Sequence, residues 1–204
     1  MPARRYEQRL RAEAAEATRR RILDAVYTRL REAPSRPVSV DTVARMAGVA
    51  RSTVYLVFGS RAGLFDALGD DLLKRAPYRR LVEATGLPDA RESLRQGLRA
   101  ATEMFAEDRD VARALYSMAA LDAEAVGGAI ERSEAERSRG MARVARRLAE
   151  QGFLRDDVTA QEAADVLWVL TSFDGFDLLY TGRGLGVEQV ARTLTDAAER
   201  SLLR

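Results

Sequence analysis

Apolar residues recur at spacings of three and four along nearly the whole chain. Nowhere do they alternate with the two-residue period of a half-buried strand. Ile22, Val26 and Leu30, flanked by Leu23 and Tyr27, make one stripe over a predicted helix at about residues 14–31. Pro34 and Pro37 end it. Val40, Val43, Ala44 and Ala47 mark a short second helix. It starts after Ser39, whose hydroxyl suits an N-cap, and stops at Gly48, where the backbone needs a left-handed residue. Val49 follows as an apolar plug, and a third short helix is predicted from Arg51 to about Val57. Val54 and Phe58 lie four apart and share its buried face. Arg51, Ser52, Thr53, Tyr55 and Leu56 then point away from the core. Ser60 caps a fourth helix running to about Arg75, with Leu64, Phe65, Leu68, Leu72 and Leu73 on its apolar side.

Pro77 and the run from Thr85 to Pro88 break the pattern. They place a boundary between a head, residues 1–75, and a body, residues 76–204. The body reads as further helices at about 89–106, 110–121 and 129–151, the last closed by Gly152. Thr159 and Glu162 form a capping box that opens a helix at about 160–180, apolar nearly all round. The last helix, about 187–203, carries a clean stripe of Val187, Val190, Ala191, Leu194, Ala198 and Leu202. The fold class is all-α: a three-helix head containing a helix-turn-helix, then a larger helical body, with about nine helices in all.

Composition narrows the chemistry. Cysteine and histidine are both absent, which removes disulfides, imidazole metal sites, Ser-His triads and the Glu-x-x-His ligands of di-iron bundles. No Gly-rich phosphate loop follows a strand pattern, and Gly182 to Gly186 reads as a turn. The chain is expected to have no catalytic residue, no metal and no cofactor. No apolar run is long enough for a membrane span and no signal-peptide core is present, so the expectation is a cytoplasmic protein with no membrane partner. Net charge is only +2, but residues 1–60 hold 12 basic and 6 acidic side chains, whereas residues 61–204 hold 21 and 25. A basic head on a mildly acidic body suits DNA binding. Arg4, Arg5, Arg9 and Arg11 form either a solvated terminus or a basic arm reaching phosphate or minor groove.

The stretch from Ser39 to Phe65 resembles the TetR-type transcriptional repressors. The resemblance is carried by the turn Ala47-Gly48-Val49, then Ser52-Thr53-Val54-Tyr55, then Phe58-Gly59-Ser60-Arg61, then Leu64-Phe65. Beyond this first third, only length and helical character are similar. Ala50 stands where the family usually has Ser, Leu56 and Val57 where polar residues are frequent, and Arg61 where Lys is usual. The resemblance implies a homodimer that reads a palindromic operator in double-stranded DNA and responds to a small molecule. The DNA-contacting set is then Thr42, Arg51, Ser52, Thr53, Tyr55, Leu56 and Arg61, with Tyr55 and Arg61 on phosphates.

The resemblance also implies a dimer interface on the last two long helices, here Ala164, Leu167, Val187, Val190, Ala191, Leu194 and Ala198. The other reading is that this stripe packs within its own subunit. An effector pocket in the body would draw on Phe105, Tyr116, Met118, Met141, Trp168, Ser172, Phe173 and Phe176, a set suited to an apolar or aromatic molecule. Aromatic residues at helical spacing also serve as plain core. A regulator that represses transcription is the favoured function. A helical protein–protein adaptor is the alternative, and the +6 head and the outward Arg/Thr/Tyr set weigh against it.

Overall fold

The computed structural model describes residues 2–204, apart from the side chains of residues 2–5, 123, 125 and 127. Eleven α-helices follow one another: α1 (Pro2–Glu32), α2 (Val40–Ala47), α3 (Arg51–Phe58), α4 (Arg61–Leu72), α5 (Ala76–Thr85), α6 (Ala90–Glu107), α7 (Arg109–Leu121), α8 (Ala123–Glu150), α9 (Ala160–Leu170), α10 (Phe173–Asp177) and α11 (Val187–Leu202). A π-helical turn, Leu178–Gly182, follows α10. Among the described residues there is no strand, only an isolated bridge between Leu154 and Leu203. Among the described residues no helix is long and apolar enough to cross a membrane.

The helix count exceeds the expected nine for two reasons. The segment around Pro77 is helical rather than a linker, because a proline in the first turn gives up only an N–H that has no partner there. The apolar run at 160–180 is not one helix. The Ser172 hydroxyl accepts from the Gly175 N–H at 3.0 Å, so the chain starts a new helix at Phe173 instead of continuing α9. Two helices also begin earlier than the stripes suggested. α1 extends back beyond Ala14 to Pro2, through Glu7, Gln8, Leu10 and Ala12, strong helix formers on an exposed surface. Arg9 lies within α1 and pairs with Glu13 one turn on. Arg4 and Arg5 of the expected arm have side chains outside the described residues. α8 starts at Ala123, and the Gly127-Gly128 pair does not interrupt it.

Packing divides the chain into two compact units: Met1–Asp71 with Arg113–Ala129, and Leu72–Ala112 with Ile130–Arg204. In the first, Ile22, Val26 and Leu30 of α1 are buried together with Val43, Val54, Leu64, Phe65 and Leu68 from the next three helices. Burial of large apolar side chains of this kind supplies the main stabilisation, about 1.5–3 kcal/mol each. In the second unit the buried residues include Leu94 and Leu98 of α6, Val144 and Leu148 of α8, Leu167 of α9 and Val190 of α11. Arg147 of α8 ties this unit's chain together, donating to the carbonyls of Thr85, Leu87 and Pro88.

Candidate nucleic-acid interface and ligand cavity

The geometry of α2 and α3 follows from three local devices. Ser39 caps α2, its Oγ accepting from the Thr42 N–H at 3.2 Å while its hydroxyl donates to Thr42 Oγ1 at 2.9 Å. Gly48 adopts φ 64° and ψ 39°, the left-handed conformation. The Val49 N–H then reaches back to the Ala44 carbonyl at 3.0 Å and the Gly48 N–H to Arg45 at 3.2 Å, closing a Schellman turn. At the other end of α3, Gly63 allows a close approach. A Cβ at Gly63 would lie 2.2 Å from the Phe58 carbonyl oxygen.

These turns set which residues α3 presents. Val54 is buried in the core of the first unit, and Leu56 is 85% exposed. Arg51, Ser52 and Tyr55 are exposed, and Thr42 and Thr53 are half-buried. Phe58, expected in the core with Val54, is only half-buried, its ring covered by the Arg19 guanidinium at 4.9 Å. Arg51 Nη1 donates to both oxygens of Asp41 at 3.3 and 3.2 Å, and Nη2 to the Tyr55 hydroxyl at 3.3 Å. The Tyr55 hydroxyl and then the Asp41 carboxylate hold the Arg51 guanidinium above its ordinary value, so it stays charged throughout the physiological range. Arg61, which the resemblance put on a phosphate, pairs with Asp122 and lies over the Phe65 ring at 5.6 Å.

The second unit holds a partly open cavity of about 60 Å³. Leu81 and Thr85 of α5 line it, with Leu94, Leu98, Ala101, Met104 and Phe105 of α6, Arg137, Met141 and Val144 of α8, Leu167 of α9, and Ser93, Gly97 and Thr171. Of the eight residues expected at an effector pocket, Phe105 and Met141 are on its wall. Phe173 and Phe176 are buried instead in an aromatic cluster. Phe105 meets Phe173 edge-on at 5.5 Å, and Phe176 stacks on Tyr180 at 5.0 Å. Trp168 lies under the Arg137 guanidinium at 3.6 Å, and Ser172 is the cap of α10. Tyr116 and Met118 are half-buried on α7, in the unit that contains the helix-turn-helix.

The expected dimer residues are placed differently from the expectation. Leu167, Val190, Ala191, Leu194 and Ala198 are buried within their own chain, so they have no surface left to bury against a second copy. Ala164 and Val187 retain some surface. The apolar side chains that stay exposed on this part of the chain are Val169, at 63%, and Leu178, at 69%. Among the described residues no three acidic side chains gather where they could hold a metal.

Comparison with known proteins bears on the same two regions. Residues 22–68 match the family model for bacterial regulatory proteins of the tetR family. That span begins in the apolar stripe of α1 and ends at Leu68 of α4. A comparison with curated proteins finds no match. Among solved structures, the chain is similar to NalD, the secondary repressor of the MexAB-OprM multidrug efflux pump in Pseudomonas aeruginosa. The two are 26% identical over 94% of this chain and 98% of that one, with a TM-score of 0.69. A TetR-like transcriptional regulator from Rhodococcus sp. RHA1 is 23% identical over 90% and 94%, with a TM-score of 0.66. A TetR family transcription regulator from Marinobacter aquaeolei VT8 is 14% identical over 94% and 98%, with a TM-score of 0.69. The helix-turn-helix, the family match over it and the shared all-helical fold agree: residues 22–68 carry the N-terminal domain of the tetR family of bacterial regulatory proteins, and the chain shares the fold of solved regulators of that kind.

Proposed function

We propose that the chain is a ligand-responsive repressor. It binds a palindromic operator as a homodimer, through α3 in the major groove, and is released by a small molecule held in the cavity of the second unit. The observation that carries this is the outward face of α3, where Arg51, Ser52, Tyr55 and Leu56 are exposed beside a Gly48 turn whose geometry is fixed by backbone hydrogen bonds. Thr42, Thr53 and Arg61 complete the proposed DNA-contacting set. For Arg61 to reach a phosphate it must leave Asp122. Residues 1–75 are read as the DNA-binding domain and residues 76–204 as the ligand-binding and dimerisation domain, working in the cytoplasm. By packing, residues 113–129 belong with the head.

A dimer is supported by two exposed apolar side chains, Val169 and Leu178, with Ala164 nearby in sequence. Two copies of α3 would then read two half-sites about 34 Å apart, one helical turn of DNA, or a multiple of it. Release requires that the effector prefer the non-binding state, with a coupling of about 1–3 kcal/mol typical. α4 is placed to carry the coupling, because the chain passes from the first unit to the second at its end. α7 and α8, which contribute residues to both units, are equally placed to carry it.

Binding to duplex DNA, with Arg51→Ala beside the native chain, tests the reading. The variant is expected to lose about 1–3 kcal/mol of affinity and to relax preference at one base pair, as for a lost guanine contact. A loss equal at every sequence would mark Arg51 as a phosphate contact, and unchanged affinity would remove it from the interface. Leu56 gives a second result. An exposed apolar side chain in the major groove can meet a thymine methyl but cannot hydrogen-bond a base. Replacing the contacted thymine by uracil is expected to weaken binding by about 0.8 kcal/mol, the burial of one methyl-sized group. The same replacement should leave the affinity of Leu56→Ala unchanged. Equal affinity of the native chain for both duplexes would rule out this contact.

A further inference from the structure

The cavity's polar groups are already spoken for. Thr85 donates to the Val82 carbonyl at 3.1 Å, Ser93 to the Thr85 carbonyl at 2.8 Å, and Thr171 to the Leu167 carbonyl at 2.7 Å. Among the described residues Arg137 is the one cation on the wall, and it is committed too. Its Nε and Nη2 donate to the two oxygens of Glu134, and Nη1 donates to the Trp168 carbonyl at 2.6 Å and the Thr171 hydroxyl at 3.2 Å. The carboxylate neutralises the guanidinium, and the Trp168 ring covers its face. The rest of the wall offers only hydrocarbon and thioether. No side chain is left to receive a charge, and burying an unpaired charge there would carry a large desolvation penalty.

We propose that this cavity takes a compact, uncharged, apolar molecule and rejects anions, because Glu134 already occupies the one guanidinium that could bind them. The inference rests on the reading of the cavity as the effector site, and it narrows the effector's chemistry. The cavity volume of about 60 Å³ is several times the space of one water, about 10–15 Å³. Met104 and Met141 on opposite helices can re-pack around a guest, since the unbranched thioether chain has several accessible rotamers.

The test uses toluene and octanoate as probes on the full-length chain. Binding is read from the methyl resonances of Met104 and Met141 and from the fluorescence of Trp168, the only tryptophan. Toluene is expected to saturate and to shift both methyl signals. Octanoate at neutral pH is expected to bind about tenfold more weakly or not at all, the penalty of desolvating its charge. In Glu134→Gln the guanidinium is freed, and octanoate is expected to gain about tenfold while toluene is unchanged. Octanoate binding the native chain as tightly as toluene would overturn the proposal, as would toluene leaving both methyl signals unmoved. DNA binding is measured separately, so a failed ligand class with intact operator binding leaves the regulator reading standing. Loss of DNA binding itself would remove that reading without touching the probe result.

Discussion

Gly63→Ala is expected to destabilise the N-terminal unit by about 1–3 kcal/mol and to weaken operator binding with it. The new Cβ would sit 2.2 Å from the Phe58 carbonyl oxygen and 3.3 Å from its carbon. Both are backbone atoms at the end of α3, so no side-chain rotation relieves the clash. The junction itself must move. That junction is held by the Gly59 N–H on the Tyr55 carbonyl at 2.8 Å and by the Gly63 N–H on Ser60 Oγ at 2.9 Å. A shift there re-aims Tyr55 and Leu56. The DNA affinity should fall by about 1–3 kcal/mol, as much as one mismatched base pair. Gly69→Ala in the same helix is the control. Its Cβ would meet Ala129 Cβ at 3.4 Å, an ordinary contact, and alanine favours the helix by up to about 1 kcal/mol. Chemical denaturation and DNA titration of both variants measure the contrast. Equal stability of the two would mean that the α3–α4 junction is not as close as described.

Phe176→Ala should be the more damaging change to stability, by about 3–5 kcal/mol. Phe176 is 1% exposed and faces three rings: Phe105 at 5.7 Å, Phe173 at 6.3 Å and Tyr180 at 5.0 Å. Truncation leaves a void among rigid aromatic side chains that cannot collapse into it. Behind the cluster, Asp177 accepts from Arg109 Nε at 3.0 Å and from the Thr181 hydroxyl at 2.7 Å, which fixes the turn that carries Tyr180. Urea unfolding reads the loss. A change below about 1 kcal/mol would show a site that re-packs freely. Phe176 is not on the cavity wall, so toluene should still bind the variant wherever it remains folded.

What could be read from the sequence was local. The caps at Ser39 and Thr159, the stop at Gly48, and the burial of Val54 against the exposure of Leu56 all depend on residues within five positions of one another. The failures came from two kinds of competition. At Pro77 a residue that usually ends a helix sits in the first turn of one. At Ser172 a hydroxyl competes with the backbone inside a run whose apolar pattern looks continuous. The site was harder still, because it depends on distant pairings. Asp122 meets Arg61 across 61 positions, and Trp168 presents its carbonyl to Arg137 across 31. A cavity is where stripes from α5, α6, α8 and α9 fail to fill the space they enclose, and periodicity within any one stripe carries no trace of that. The stripe on Val190, Ala191, Leu194 and Ala198 shows the same limit. Its apolar face was plain, but whether it met its own chain or another was not.

As proposed above, two copies of α3 read DNA as a symmetric pair. Selection of bound sequences from random duplex DNA, followed by titration of the winner at several salt concentrations, tests it most directly. The expected result is a two-fold symmetric consensus, with half-sites one helical turn or a multiple apart, and a linear fall of log affinity with log salt from the phosphate contacts. An absence of any enriched sequence, or an affinity that ignores salt, would contradict it.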